Sequence, residues 1–182
     1  MQKVVNDGHS QVIAKREEFA PTQESPMPHS LGWYHTPTPT GFVLHLSATS
    51  DHLRATRALI GKTLADAGVG EGQSHAVQLV MSELFGNAVR ACGDFVPLVA
   101  EVAVEPPHGG GGGAERGVRV RLHDPYRLAL PVPRGVRLDD PEAESGRGLP
   151  LVDLLAPGWR VAGTPVGKQV RCRIPAEGET GV

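Results

Sequence analysis

Hydrophobic residues recur at every second position in two short segments of the chain, "GFVLHLSA" (41–48) and "GVRVRLHD" (117–124), and the alternation with polar residues is strict in the second. A period of two places successive side chains on opposite faces and therefore predicts strands. The mostly apolar "VPLVAEVAVE" (96–105) predicts a third strand. Near the end of the chain, "WRVAG" and "KQVRCRI" flank "TPVG" and predict a terminal hairpin.

Three other segments have apolar residues at helical spacing. The first covers residues 51–67, with Ser50 or Asp51 as its predicted N-cap. The second contains "VMSELFGNAVRACG" (80–93), and the third is the short "GLPLVDLLA" (148–156). The resulting order of strands and helices predicts an α+β two-layer sandwich, in which helices cover one face of a mixed, largely antiparallel sheet.

Composition divides the chain into one domain and two tails. Residues 1–40 are rich in Pro, Ser, Thr and His and are predicted to be a disordered tail. Residues 41–175 form the predicted domain, and residues 176–182 form a loose C-terminal tail.

Within the domain, residues 125–147 are rich in Pro, Arg and acidic residues and have no clear periodicity, which predicts a long functional loop. The glycine run "PPHGGGGGAERG" lacks the Gly-Lys-Ser/Thr of a P-loop and is predicted to link two strands of a hairpin.

Charge and cysteine content argue against several classes of function. The net charge is −2, so the chain has no general attraction to nucleic acid or to membranes. The two cysteines, Cys92 and Cys172, form no CxxC pattern, which argues against a zinc site or a disulfide framework. No segment has the apolar length of a membrane span or of a signal peptide, and we therefore expect a cytoplasmic protein.

Glu83 and Asn87 interrupt the second helical pattern, one turn apart on the border of its apolar face. One interpretation is an ordinary solvated helix edge. The other is a site for a divalent ion and water, because an Asn oxygen suits Mg²⁺ and a nearby Glu can accept a proton from a hydroxyl group. These residues alone do not decide between the two.

Two further polar features also have two interpretations each. Asp124 ends its strand on the inward-facing side, where it either starts a turn with Pro125 or accepts a hydrogen bond from an exocyclic amine such as adenine N6. Gly146 and Gly148 flank Arg147 directly before an apolar helix. They either form a simple loop or let an anion approach the backbone N–H groups of the helix start.

Together these motifs resemble those of the GHKL (Bergerat-fold) ATPase superfamily, which includes gyrase, MutL, the ninety-kilodalton heat-shock chaperones and histidine kinases. "SELFGNAVRA" resembles the N-box, "HDP" the strand end that carries the G1 aspartate, "GRGLPLVDLLAPGW" the G2 box, and "GKQVRCRIP" the closing strand. The similarity covers about residues 41–175. Within the superfamily, the chain is most similar to small bacterial ATP-binding proteins of the anti-sigma-factor serine kinase type.

The resemblance implies a role for each site residue. Asn87 would coordinate the Mg²⁺ that bridges the ATP phosphates, Glu83 would activate the attacking hydroxyl group or water, and Asp124 would bind the adenine amine. Residues 125–147 would form a lid over the nucleotide, and Arg90 would be a weaker phosphate contact. The implied phosphate-binding residues are Gly146, Arg147, Gly148 and Leu149.

The resemblance implies a serine/threonine protein kinase that transfers the γ-phosphoryl group of ATP to a partner such as a sigma factor or an anti-anti-sigma factor. Proteins of this type often form homodimers, and the resemblance extends that expectation to this chain. A degenerate switch that binds a nucleotide or another ligand without transfer is the alternative. Gly86 and Ala91 stand where related N-boxes frequently have Thr and His, and Gln169 stands where many have a Thr near the adenine. An interaction module without nucleotide is the third possibility.

Overall fold

The computed structural model describes residues 32–106, 116–127 and 148–176, which contain six strands and three helices. In chain order these are β1 (Trp33–Thr38), β2 (Gly41–Ser47), α1 (Ser50–Asp66), α2 (Glu71–Cys92), β3 (Pro97–Val104), β4 (Val118–Asp124), α3 (Gly148–Leu155), β5 (Arg160–Thr164) and β6 (Gly167–Ile174). Within these ranges, no helix has the length and apolarity that crossing a bilayer requires.

The six strands form one sheet in the order β1-β2-β3-β4-β6-β5, and every neighbouring pair is antiparallel. Alternate residues of the central strands, such as Leu44, Val102 and Val120, are fully buried, whereas most residues between them are partly or fully exposed. Helices α1 and α2 pack on the buried face, with Ile60 and Val80 in the shared core. The predicted α+β two-layer architecture is therefore confirmed.

The predicted start of ordered structure at Gly41 is wrong, because β1 pairs with β2 along its whole length. The segment looks like a tail because β1 is an edge strand, where Pro37 and polar residues are tolerated. Its Trp33 is only 8 % exposed and belongs to the core. At the other end, Ala176 is buried, so the domain extends past residue 175. The remaining predicted tail residues, 1–31 and 177–182, lie outside the described residues.

The ends of the helices set the positions of the residues that follow. Thr49, rather than Ser50 or Asp51, caps α1, because its side chain accepts a hydrogen bond from the backbone N–H of His52 at 3.1 Å. Helix α2 ends at Gly93, whose φ of 87° is readily adopted only by glycine. The last residue of α2, Cys92, contacts Asp124, so this end of the helix lies close to the end of β4.

Candidate functional site

Helix α2 places Glu83 and Asn87 at the margin of the core. The same helix buries Val80, Leu84 and Ala88 against the sheet, whereas Glu83 and Asn87 are half-buried. Four residues are close to one helical turn, so the two polar side chains lie on the same side of α2, above one another. They are partly removed from water, as residues at the border of an amphipathic helix are.

Glu83 lies directly against the first residue of α3. A Cβ atom added to Gly148 would lie 2.2 Å from Glu83 Oε2, so only glycine permits this approach without a shift of the carboxylate. The structure thus brings together two residues that the sequence analysis assigned to the site. Leu149, the next residue of α3, is half-buried at the same helix start.

Asn87 is engaged by a side chain of its own helix. Arg90 donates a hydrogen bond from Nη2 to Asn87 Oδ1, and Asn87 Nδ2 is buried without a hydrogen-bond partner among the described residues. The guanidinium also lies over Gly86, where an added Cβ would be 3.3 Å from Arg90 Nη1. Asn87 therefore presents its oxygen to a cation that the chain itself supplies.

Asp124 ends β4 and is only 3 % exposed. Its Oδ1 accepts hydrogen bonds from Lys168 Nζ at 2.9 Å and from the backbone N–H of Tyr126 at 3.0 Å. The Tyr126 contact is the side-chain-to-backbone bond expected of a turn-forming aspartate, while the inward burial matches the binding-site interpretation. The turn and the inward orientation of Asp124 are therefore present in the structure, and its role as an acceptor for an exocyclic amine stays a prediction.

Lys168 is a site residue that the sequence analysis missed. In the register of β4 with β6, Lys168 lies opposite Asp124 on the buried face, whereas Gln169 lies opposite His123 on the open face. Gln169 therefore lies on the opposite face of β6 from the side chain that pairs with Asp124. Val170 and Cys172 point inward, so the alternation of β6 could have identified Lys168 as an inward residue.

Cys92, the last residue of α2, connects that helix to Asp124. Its Sγ lies 3.9 Å from Asp124 Oδ1. Burial raises the pKa of the Cys92 thiol, the negative charge of Asp124 raises the pKa further, and the Lys168 ammonium opposes these effects. The cysteine therefore favours the thiol form beside the carboxylate.

A cavity of about 360 Å³ lies between the end of α2 and the residues that follow β4. Its lining comprises Ala91, Cys92, Asp94, Phe95, Val96, Pro97, Pro125 and Tyr126. Two of these residues directly follow Asp124 in the chain. A larger cavity of about 620 Å³ is lined by residues such as Thr40, Asp66 and Arg116, and none of the site residues lines it. The smaller cavity lies beside Asp124, because Cys92 and Tyr126 line it and both contact Asp124 Oδ1, whereas Glu83, Asn87 and Gly148 do not line it.

The site is elongated along α2. Asp124 and Cys92 lie at the C-terminal end of the helix, Asn87 lies further back, and Glu83 meets Gly148 at the far end. With a rise of 1.5 Å per residue, the distance from Glu83 to Cys92 is about 14 Å.

Part of the predicted site lies outside the described residues, namely Gly146, Arg147 and residues 128–147 of the predicted lid. Within the described ranges, no cluster of three or more His, Cys, Asp or Glu side chains could hold a metal ion. Asn87 was predicted as a Mg²⁺ ligand. Mg²⁺ binds oxygen at about 2.0–2.1 Å, which requires the Arg90 guanidinium to leave Asn87 Oδ1. The described arrangement therefore does not fit Mg²⁺ at Asn87.

Comparison with known protein families gives one match. A family model described as a histidine kinase-like ATPase domain matches residues 46–174, which is more than half of the chain. The matched range begins in β2 and ends with the last residue of β6, so it includes Glu83, Asn87, Asp124 and Gly148. No curated protein matches the chain.

Proposed function

The chain belongs to the histidine kinase-like ATPase family, and from this premise we propose that it is an ATP-binding regulatory protein that phosphorylates a serine or threonine of a partner protein. The observation that carries the proposal is the contact between Glu83 and Gly148. It places a carboxylate at the helix start to which we assign the phosphates. Membership of the family supports ATP binding, and the transfer step is our proposal.

The base end of the nucleotide is assigned to Asp124. Lys168, Tyr126 and Cys92 all contact Oδ1 of this residue. We therefore assign Oδ2 as the acceptor for the exocyclic amine of adenine. Guanine has a carbonyl oxygen at the same ring position, and two acceptors facing one another in a dry site are unfavourable. Asp124 should thus favour ATP over GTP.

The phosphate end is assigned to the start of α3. The first backbone N–H groups of a helix have no partner within the helix, and the helix dipole favours an anion there. Gly148 and Leu149 supply these groups, and Gly146 and Arg147 precede them in the chain. Glu83 then lies where it can accept the proton of a serine or threonine hydroxyl group as that oxygen attacks the γ-phosphorus.

The class of partner rests on the resemblance to anti-sigma-factor kinases. A sigma factor or an anti-anti-sigma factor is the corresponding partner, and a homodimer is the corresponding assembly. The partner would supply the hydroxyl group, since transfer to a protein requires an acceptor side chain beside the phosphate.

The second candidate function is a nucleotide-binding switch without phosphoryl transfer. It is favoured by the way in which the proposed ligand-binding groups are paired within the chain. Lys168 bonds to Asp124, Arg90 bonds to Asn87, and the Glu83 carboxylate lies against Gly148.

One experiment tests the proposed function and separates the two candidates. The purified full chain is titrated with ATP and with GTP by calorimetry, and is then incubated with γ-labelled ATP and candidate sigma-factor and anti-anti-sigma-factor proteins. A kinase should bind ATP in preference to GTP and should label a partner. Glu83→Gln should retain ATP binding and lose labelling. ATP binding without labelling of any partner would favour the switch, and no heat with either nucleotide would refute both candidates.

A further inference from the structure

Arg90 provides a positive charge at the position where the family resemblance expects a metal ion. Its guanidinium donates to Asn87 Oδ1, the only oxygen of that side chain. Both residues belong to α2, and a spacing of three residues keeps them on one face of the helix. A cation is therefore held beside Asn87 by the helix itself.

Gly86 provides the space for this arrangement. The guanidinium lies over its Cα, and an added Cβ would be only 3.3 Å from Arg90 Nη1. Related N-boxes frequently have Thr at this position, and its branched side chain would fill the same space. Glycine in the middle of a helix lowers helix stability relative to alanine. The space that Gly86 leaves for the Arg90 guanidinium would account for a glycine inside α2.

The orientation of the Asn87 amide agrees with a permanent role for the cation. Within the part of the chain that the structure describes, Asn87 Nδ2 is buried without a partner, whereas Oδ1 faces the guanidinium. If the amide were reversed, the Asn87 NH₂ group would face the Arg90 guanidinium, and two hydrogen-bond donors would oppose each other. Arg90 thus determines which end of the amide faces the proposed phosphate path.

We propose that the guanidinium of Arg90 serves as the cation of the phosphate site, so that the chain binds ATP without Mg²⁺. A guanidinium stays charged at all accessible pH values and offers several donors to phosphate oxygens. Mg²⁺ at Asn87 would have to displace Arg90 from Oδ1 and would lie next to its positive charge. The proposal rests on the proposed ATP binding and applies equally to the kinase and to the switch.

The test measures ATP affinity by calorimetry for the full chain, once in excess Mg²⁺ and once with EDTA. The wild-type affinity should change by less than about threefold between the two conditions, because the cation is built in. Arg90→Ala should lose at least about tenfold in affinity in EDTA, the effect of one charge-assisted hydrogen bond. Mg²⁺ should restore much of this loss, because the Asn87 oxygen is then free to bind the ion.

Two further variants make the test specific. Arg57→Ala removes an exposed arginine from α1 and should leave both affinities unchanged. Gly86→Ala keeps Arg90 but moves its guanidinium, and should increase the dependence on Mg²⁺ while the helix remains folded. Wild-type binding that requires Mg²⁺, or an Arg90→Ala variant that binds as wild type does in EDTA, would overturn the inference and leave ATP binding intact. Absence of ATP binding under both conditions would instead refute the proposed function.

Discussion

Lys168 and Asp124 form a buried ion pair, with Nζ 2.9 Å from Oδ1 and side chains only 6 % and 4 % exposed. The two residues lie opposite each other on β6 and β4. Lys168 also donates a hydrogen bond to the backbone carbonyl of Tyr126. Its ammonium group therefore connects the end of β4 to the residues that follow this strand. The ion pair therefore fixes the orientation of the Asp124 carboxylate, which we propose binds the base, through its Oδ1 atom.

Removing the cation should destabilise the fold strongly. Lys168→Met preserves most of the side-chain volume but leaves the Asp124 carboxylate buried without its charged partner. We expect a loss of about 3–5 kcal/mol in the free energy of unfolding, measured by urea denaturation. The matched control is Lys62→Met, which breaks the exposed pair with Asp66 and should cost less than about 1 kcal/mol. Equal effects of the two substitutions would contradict the structural role of Lys168.

Gly167 should tolerate no side chain, because the backbone of β4 passes directly over it. An added Cβ would lie 2.0 Å from the carbonyl oxygen of Asp124 and 2.7 Å from Pro125 Cα, and the φ of Gly167 is 152°. Gly167→Ala should therefore lower the free energy of unfolding by about 2 kcal/mol or more and weaken ATP binding. The control is Gly163→Ala in the same hairpin. Among the described residues no atom lies within 4 Å of its added Cβ, so the free energy of unfolding should be nearly unchanged. A well-folded Gly167→Ala variant with wild-type ATP affinity would show that this close approach is not needed.

Gly148→Ala should displace the Glu83 carboxylate, since the new methyl group would occupy its position. If Glu83 is the proton acceptor, single-turnover transfer to a partner should fall by roughly 10²-fold, the lower range for a general base. The same substitution in a Glu83→Gln background should cause little further loss, because the two changes remove one function. Additive losses would mean that Gly148 contributes independently of Glu83.

Cys92 should react slowly with iodoacetamide at neutral pH. Burial and the Asp124 charge raise its pKa, so less thiolate is present than for an ordinary cysteine. The labelling rate should rise about tenfold per pH unit until the pH reaches that raised pKa. Lys168→Met should slow labelling at a given pH, because the ammonium lowers the pKa of Cys92.

Cys172 provides the internal control for this measurement. It is buried, and burial raises its pKa to about 12, so it should remain unlabelled in the folded protein. Labelling of Cys172 together with Cys92 would report unfolding. Faster labelling of Cys92 alone in Lys168→Met would contradict the assigned electrostatic effect.

Much of the site could be predicted from the sequence because it depends on local periodicity. Helical spacing placed Glu83 and Asn87 on one side of α2, and strand alternation turned Asp124 inward. The same alternation predicted most of the strands. It failed for β1, where an edge strand with Pro37 has the composition of a tail, because pairing with β2 rather than local propensity orders it.

Periodicity alone determined which way each side chain faces, since the backbone geometry of a helix or strand repeats along the chain. Only the tertiary structure decided which side chains meet. The register between β4 and β6 selected Lys168 rather than Gln169 as the partner of Asp124. The packing of α3 on α2 brought Gly148 to Glu83, and the missing side chain of Gly86 let Arg90 reach Asn87. The first two contacts join elements that are remote in the chain, and no local pattern encodes them, whereas Arg90 and Asn87 are three residues apart on one helix and only the choice of rotamer was left to the tertiary structure.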